Sequence, residues 1–179
     1  MTVDDNTLLK MLASPETKRK AFGLIVSQYS EMLYWKIRHF VLYHDDADDV
    51  MQNVLMKAWM NIDRFKADSK ISTWLYSIAV NESLDFLRRK KNVADADADL
   101  YAARHLMADE YFDGDATEAL LQEAIARLPD MQRTVFLLRY YDEMKYSEMS
   151  KMLERTEGAL KANYHIAAQK VLDYIKHCD

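Results

Sequence analysis

The sequence predicts an all-α chain built as two small helical domains joined by an acidic linker, with boundaries at 1–92, 93–116 and 117–179. Three observations lead there. Only three Gly and two Pro occur in 179 residues, so few turns are required. Apolar residues recur at spacings of three and four along most of the chain, which is the period of a helix with one buried face. Charge is partitioned: residues 17–92 carry 13 Lys/Arg against nine Asp/Glu, 93–118 carry one against eight, and 119–179 carry nine against nine. With residues 1–16 at net -2 the chain totals -5, and most of its acidity sits in its middle, where a like-charge block reads as a linker.

Composition excludes several classes. Half of the residues are hydrophobic, enough for a core in each domain. The single cysteine, Cys178, permits no internal disulfide, and a reducing, cytoplasmic setting is expected. No run approaches the roughly 18 apolar residues of a membrane span. "MTVDDNTLLKML" lacks the charged-then-apolar pattern of a signal peptide, so no membrane insertion is expected.

In the first domain, Phe22, Ile25, Val26, Tyr29, Leu33, Ile37, Phe40 and Val41 mark a long helix. A second helix follows "HDD", with Ala47, Val50, Val54, Leu55, Ala58 and Ile62 as its buried stripe. Asp45 or Asp46 can cap it, and acids in a first turn suit the helix dipole. Its other face shows Asp45, Asp49 and Gln52, with Asp48 and Asn53 beside them.

A third helix is predicted from Ser69 or Ser72, as N-cap, to about Lys91. Ile71, Leu75, Ile78, Ala79 and Phe86 form its apolar stripe. Trp74, Asn81 and Arg88 are spaced by seven, so they line up on a flank of that stripe. An aromatic, an amide and a guanidinium in line, ending in Arg88, Arg89, Lys90 and Lys91, suit a single nucleic-acid strand. Aromatic faces stack on bases, amides read base edges and cations hold phosphate. The plainer reading makes Trp74 a core residue and the basic cluster a complement to the helix C-terminus.

The second domain reads as four helices: 117–128, ending before Pro129; 130–141, burying Val135, Phe136 and Leu138; one capped by Ser147, burying Met149, Met152 and Leu153; and one capped by Thr156, burying Leu160, Tyr164, Ala167 and Val171. The last two form a helix-turn-helix. Gly158, Lys161, Ala162, His165 and Gln169 occupy the exposed face of the final helix, where small residues permit close approach to base edges.

Two other functions fit parts of the chain. "HDDADD" could supply His44 and Asp45 to a metal-dependent hydrolase, but a metal centre needs three or four converging donors. His39, His105, His165 and His177 complete no such motif. A stand-alone helix-turn-helix regulator would use the second domain and have no need of the acidic face on the first.

Taken together, "DADDVMQNVLMKAWMNIDRFKADSKISTWLYSIAVNESLDFLRRKK" resembles the second conserved region of the extracytoplasmic-function, or group IV, sigma factors of the sigma-70 family. "LPDMQRTVFLLRYYDEMKYSEMSKMLERTEGALKANYHIAAQKVL" resembles their fourth. The resemblance implies a protein without bond chemistry or cofactor, which binds core RNA polymerase and promoter DNA and is held in check by an anti-sigma factor. It implies that Asp45, Asp48, Asp49, Gln52 and Asn53 meet the polymerase. It implies that the loop with Arg64, Lys66, Asp68, Ser69 and Lys70 captures a flipped minus-ten base. The helix with Trp74, Asn81, Arg88, Arg89, Lys90 and Lys91 then holds the melted strand and upstream duplex, Trp74 being either a packing post or a stacking surface. Arg155, Thr156, Gly158, Lys161, Ala162 and His165 become the minus-thirty-five contacts. The acidic linker becomes either a solvated tether or a nucleic-acid mimic in a polymerase channel.

The chain departs from the family pattern in the second domain. Glu154 stands where many relatives have Gly, Arg155 where they have an apolar residue, and Asn163 and Ile166 where they have Arg. Glu157 lies at the start of the recognition helix. These departures imply a weaker or differently specific minus-thirty-five contact.

Overall fold

The structure, a computed structural model, describes residues 3–65, 69–93 (91–93 as backbone only), 103–108 and 114–178. The chain divides into two compact units, Met1–Lys90 and Lys91–Asp179. Regular structure is helical throughout the described residues.

Unit 1 opens with α1 (Asp5–Leu12) and α2 (Pro15–Phe40). The sequence reading did not anticipate α1. It is capped by Asp4, whose carboxylate accepts from the Thr7 N–H at 3.0 Å and from the Thr7 hydroxyl at 2.7 Å. Pro15 begins α2 at a position that needs no N–H donor. Ala21, Ile25, Leu33, Ile37 and Phe40 bury the inner face of α2, and each larger side chain contributes roughly 1.5–3 kcal/mol by leaving water. The helix stops where Val41 turns extended, and the buried Arg38 guanidinium donates to the Leu42 carbonyl beyond the end.

Next comes α3 (His44–Asn61), ending in a 3-10 turn, Ile62–Arg64. Its N-cap is Tyr43, whose side chain makes no capping hydrogen bond, and Asp45 and Asp46 sit inside the first turn rather than at the cap. Ala47, Val50, Val54, Ala58 and Ile62 are buried as the spacing predicts, but Leu55, expected with them, is only half-buried.

The last helix of the unit, α4, spans Ile71–Val93. Neither Ser69 nor Ser72 caps it. Instead the Ile71 N–H donates to the Asp5 carboxylate of α1 at 3.1 Å, and the other oxygen of Asp5 accepts from the Tyr29 hydroxyl at 3.2 Å. A cap from a distant helix outcompetes the local serines because it also fixes where α4 starts against α1 and α2.

Unit 2 contains α5 (Ala116–Ala126), α6 (Asp130–Tyr140), α7 (Tyr146–Leu153) and α8 (Glu157–Cys178). Asp115 caps α5 through the N–H groups of Thr117 and Glu118. Helices α5, α6 and α7 all pack on α8, around Ile125, Val135, Leu137, Leu138, Met149, Leu160 and Ala167. Met152, Leu153 and Tyr164, expected to be buried, are only half-buried. α7 begins at Tyr146, one residue before the predicted cap Ser147, because the Glu148 carboxylate reaches back to the Lys145 N–H at 3.1 Å. Residues 103–108 belong to this unit: Ala103 and Leu106 are buried, and Arg104 binds Glu123 of α5 at 2.9 Å.

Candidate nucleic-acid interface

Three of the side chains expected to handle an unpaired strand, Arg64, Trp74 and Asn81, meet in unit 1 at a cleft of about 340 Å³ between α3 and α4. Lys57 and Asn61 of α3, Arg64 of the 3-10 turn, and Trp74, Ile78, Asn81 and Glu82 of α4 line it. The α4 residues recur at helical spacing, which puts them on one face. Trp74 is half-buried, its ring 5.0 Å from that of Phe65. It is therefore a packing post for the chain leaving the 3-10 turn and a wall of the cleft at once. Lys57, Arg64 and Asn81 are exposed, whereas Glu82 is only 5% exposed and forms an ion pair with Lys57. The cleft thus offers an aromatic face, two amides, two cations and one carboxylate. Sequence reasoning missed Lys57, Asn61 and Glu82, since only the packing of α3 on α4 brings them in.

The basic end of α4 is less uniform than its sequence suggests. Arg88 lies 3.1 Å from Asp85 and is well exposed. Arg89 is exposed. Lys90 is 2.6 Å from Asp46 of α3 and sits over the Tyr43 ring at 4.8 Å, so its charge is engaged within the unit. Ser69 and Lys70 are exposed ahead of α4, while Lys66, Asp68 and the Lys91 side chain lie outside the described residues.

On α3, Asp45, Asp48, Asp49 and Gln52 are exposed and Asn53 is half-buried. The face continues into two side chains that sequence reasoning passed over: Met56, 55% exposed, and Met60, 70% exposed. Spacings of three and four place Asp49, Gln52, Met56 and Met60 in one stripe, acidic and amide at one end and apolar at the other. His44 is hydrogen-bonded through Nδ1 to the Tyr34 hydroxyl at 2.6 Å, with Asp48 3.5 Å from Nε2. Among the described residues no group of three His, Cys, Asp or Glu side chains converges on a metal position.

In unit 2 the turn between α7 and α8 exposes Arg155 and Thr156, and the Thr156 hydroxyl accepts from the Ala159 N–H at 3.3 Å as the predicted cap. Glu154 has φ +53°, a left-handed backbone for which glycine is the unstrained residue. Gly158, Lys161, Ala162, His165, Ile166 and Gln169 are exposed along α8, and a Cβ at Gly158 would meet nothing within 4 Å. The small residues there keep the helix surface low. Lys161 lies 3.7 Å from Glu157 and 5.6 Å from the centre of the Tyr146 ring.

At the other end of the unit, the Glu123 carboxylate accepts from Arg104 at 2.9 Å, Arg127 at 3.0 Å and the Tyr174 hydroxyl at 2.7 Å. Burial opposes its ionisation, but these three donors prevail and hold its pKa at about 2. Burial and the same carboxylate push Tyr174 up to about 12. Tyr141 is likewise raised, first by burial and then by donating to Glu118 at 2.7 Å.

Comparison with known proteins shows the family and the fold. The model of sigma-70 region 2 matches residues 25–93, and that of sigma-70 region 4 matches residues 118–171. The ECF RNA polymerase sigma factor SigW of Bacillus subtilis is 33% identical over 156 residues, covering 81% of this chain and 83% of its own. The ECF RNA polymerase sigma-E factor of Escherichia coli is 28% identical over 171 residues, covering 86% and 85%. Among solved structures, CnrH in complex with the cytosolic domain of CnrY superposes with a TM-score of 0.67 at 23% identity, over 98% of this chain and 99% of that one. RpoE of Bartonella quintana, solved with the anti-sigma factor NepR, gives 0.66 at 21% identity, over 88% and 98%.

Proposed function

The chain belongs to the extracytoplasmic-function sigma factors of the sigma-70 family, and on that premise we propose how its surfaces divide the work of initiation. As a sigma factor it binds core RNA polymerase and directs promoter recognition, melting and the start of transcription. It contributes no bond chemistry of its own. Its place is with the polymerase in the cytoplasm, in keeping with the lack of any helix among the described residues long and apolar enough to cross a membrane.

The observation that carries the assignment of roles is the convergence of Arg64, Trp74 and Asn81 on one cleft. An unpaired minus-ten base enters there. Trp74 supplies a stacking wall, Asn81 hydrogen-bonds a base edge, and Arg64 takes the adjoining phosphate. Capture of the base offsets the cost of unstacking it, as in base-flipping proteins. Arg88 and Arg89, with Lys66, Asp68, Ser69, Lys70 and Lys91 of the loop and helix end, follow the strand. Lys90 acts mainly as a structural tie to α3.

The α3 stripe docks on the polymerase. Asp45, Asp48, Asp49, Gln52 and Asn53 meet basic and polar groups there, and Met56 and Met60 supply the adaptable apolar centre that a stable interface needs. The start of α8 enters the major groove at the minus-thirty-five element, with Arg155, Thr156, Gly158, Lys161, Ala162 and His165 in reach of bases or phosphates. The two units are carried by one polymerase, so binding of the first makes the second contact intramolecular. An anti-sigma factor covering both surfaces completes the picture. Run-off transcription with core polymerase over a promoter library tests the assignment. Initiation from a defined promoter set is expected, and DNA binding that needs no core polymerase would indicate a stand-alone regulator instead.

A further inference from the structure

Among the residues lining the unit 1 cleft, Glu82 is the one that is buried. Lys57, Arg64 and Asn81 stand exposed around it. The cleft therefore has donors at its rim and an acceptor-only floor. A buried carboxylate is costly unless compensated, and here the compensation is Lys57, whose side chain is still 49% exposed. One residue thus does two things: it faces whatever enters, and it fixes the position of a cation.

We propose that Glu82 is the specificity-determining residue of the cleft: it admits a nucleobase that presents an exocyclic amine and excludes phosphate, while pinning Lys57 as a neutralised donor at the rim. This rests on the base-capture reading above and deepens it. A phosphate offers only acceptor oxygens and a negative charge, both of which Glu82 repels. Cytosine, adenine and guanine each carry a protruding N–H₂ group that a carboxylate accepts, and thymine carries none. Paired with Glu82, the Lys57 ammonium is withheld from the phosphate backbone yet keeps donors for a ring nitrogen or carbonyl of the same base. Strand tracking is left to Arg64 and the end of α4.

The test uses holoenzyme assembled on core polymerase and fork-junction templates carrying each base, or an abasic site, at successive minus-ten positions. Wild type is expected to disfavour thymine at one position by roughly 5- to 100-fold, the span of a single base-edge contact. Glu82→Gln should compress that preference to within about threefold, since an amide also donates, and leave the other positions unchanged. On the abasic template it should also steepen the fall of affinity with salt by about 0.7 in the log–log slope, the mark of one freed cation meeting a single strand. The Lys57→Gln/Glu82→Gln pair removes both charges, so it should flatten the preference without steepening the slope. It serves as the measurement if the single variant folds poorly. A folded Glu82→Gln holoenzyme with the wild-type base profile at every position would overturn the proposal and reduce the pair to a tie between α3 and α4. Failure of the wild-type chain to initiate from any template would instead strike the base-capture reading itself.

Discussion

The Lys90 ammonium lies 2.6 Å from the Asp46 carboxylate, tying the basic end of α4 to the acidic start of α3. Both side chains are 22% exposed, so the pair is better shielded than a surface salt bridge. Lys90→Ala is expected to cost about 1 kcal/mol of unit 1 stability. It should leave the salt dependence of holoenzyme–DNA binding nearly as it was. Denaturant unfolding and a salt titration read the two effects separately. A slope reduced by about one unit would place Lys90 on phosphate after all.

Asp49 and Gln52 share an exposed stripe of α3 with Met56 and Met60. Asp49→Lys and Met60→Glu should each weaken core-polymerase binding while changing stability by no more than about 0.5 kcal/mol, as is usual for exposed sites. Competition against a labelled wild-type chain for core polymerase measures this. Equal competition by both variants would remove the stripe from the docking surface.

At the start of α8, Lys161 and Glu157 stand 3.7 Å apart, so in the proposed minus-thirty-five contact their charges act in opposite directions. Lys161→Ala should cost on the order of 1–3 kcal/mol at promoters that require the upstream element. Glu157→Gln should act in the opposite direction and tighten the same contact, because it removes a negative charge where phosphate approaches. Abortive initiation on promoters with and without the upstream element distinguishes them.

The left-handed backbone of Glu154 makes a prediction about stability alone. Glu154→Gly should raise the unfolding free energy of unit 2 by up to about 1 kcal/mol, since glycine avoids the Cβ clash but loses more entropy on folding. A fall in stability would mean that the Glu154 side chain contributes more than its backbone costs.

Glu123 gives unit 2 a definite pH response. Its folded pKa of about 2 lies below the ordinary glutamate value of 4.5, so its contribution is fully present above about pH 5 and is lost as pH falls toward 2. After allowance for solvent screening this amounts to about 1–2 kcal/mol. Glu123→Gln should flatten the stability profile between pH 5 and 2, which thermal unfolding across that range measures.

Much of this was legible in sequence where the information is local. The α3 stripe of Ala47, Val50, Val54 and Ala58 and the exposed face of α8 follow from helical spacing, and Thr156 caps α8 as its position predicts. What sequence did not show is set by contacts between distant residues. The cap of α4 comes from Asp5, 66 positions away, and no local pattern points to it. No local pattern singles out Glu82; α3 brings Lys57 beside it from 25 positions earlier. Trp74, Asn81 and Arg88 are in register along α4, but only the first two reach the cleft, because Arg88 stands almost two turns beyond Asn81, next to Asp85. Periodicity assigns a residue to a face of its own helix; what that face meets depends on the packing.

The most direct test of base capture in the unit 1 cleft is permanganate reactivity of the non-template strand in the complex of holoenzyme with a duplex promoter. Asn81 stands exposed at the cleft, and none of Asp49, Gln52, Met56 and Met60 lines it. Asn81→Ala should therefore bind core polymerase as wild type does and show reduced reactivity at minus-ten thymines, with part of the transcription rate recovered on a template already unpaired there. Wild-type reactivity in the Asn81→Ala complex would contradict the account, leaving the cleft a structural hollow and the exposed cations of α4 as the unit's hold on DNA.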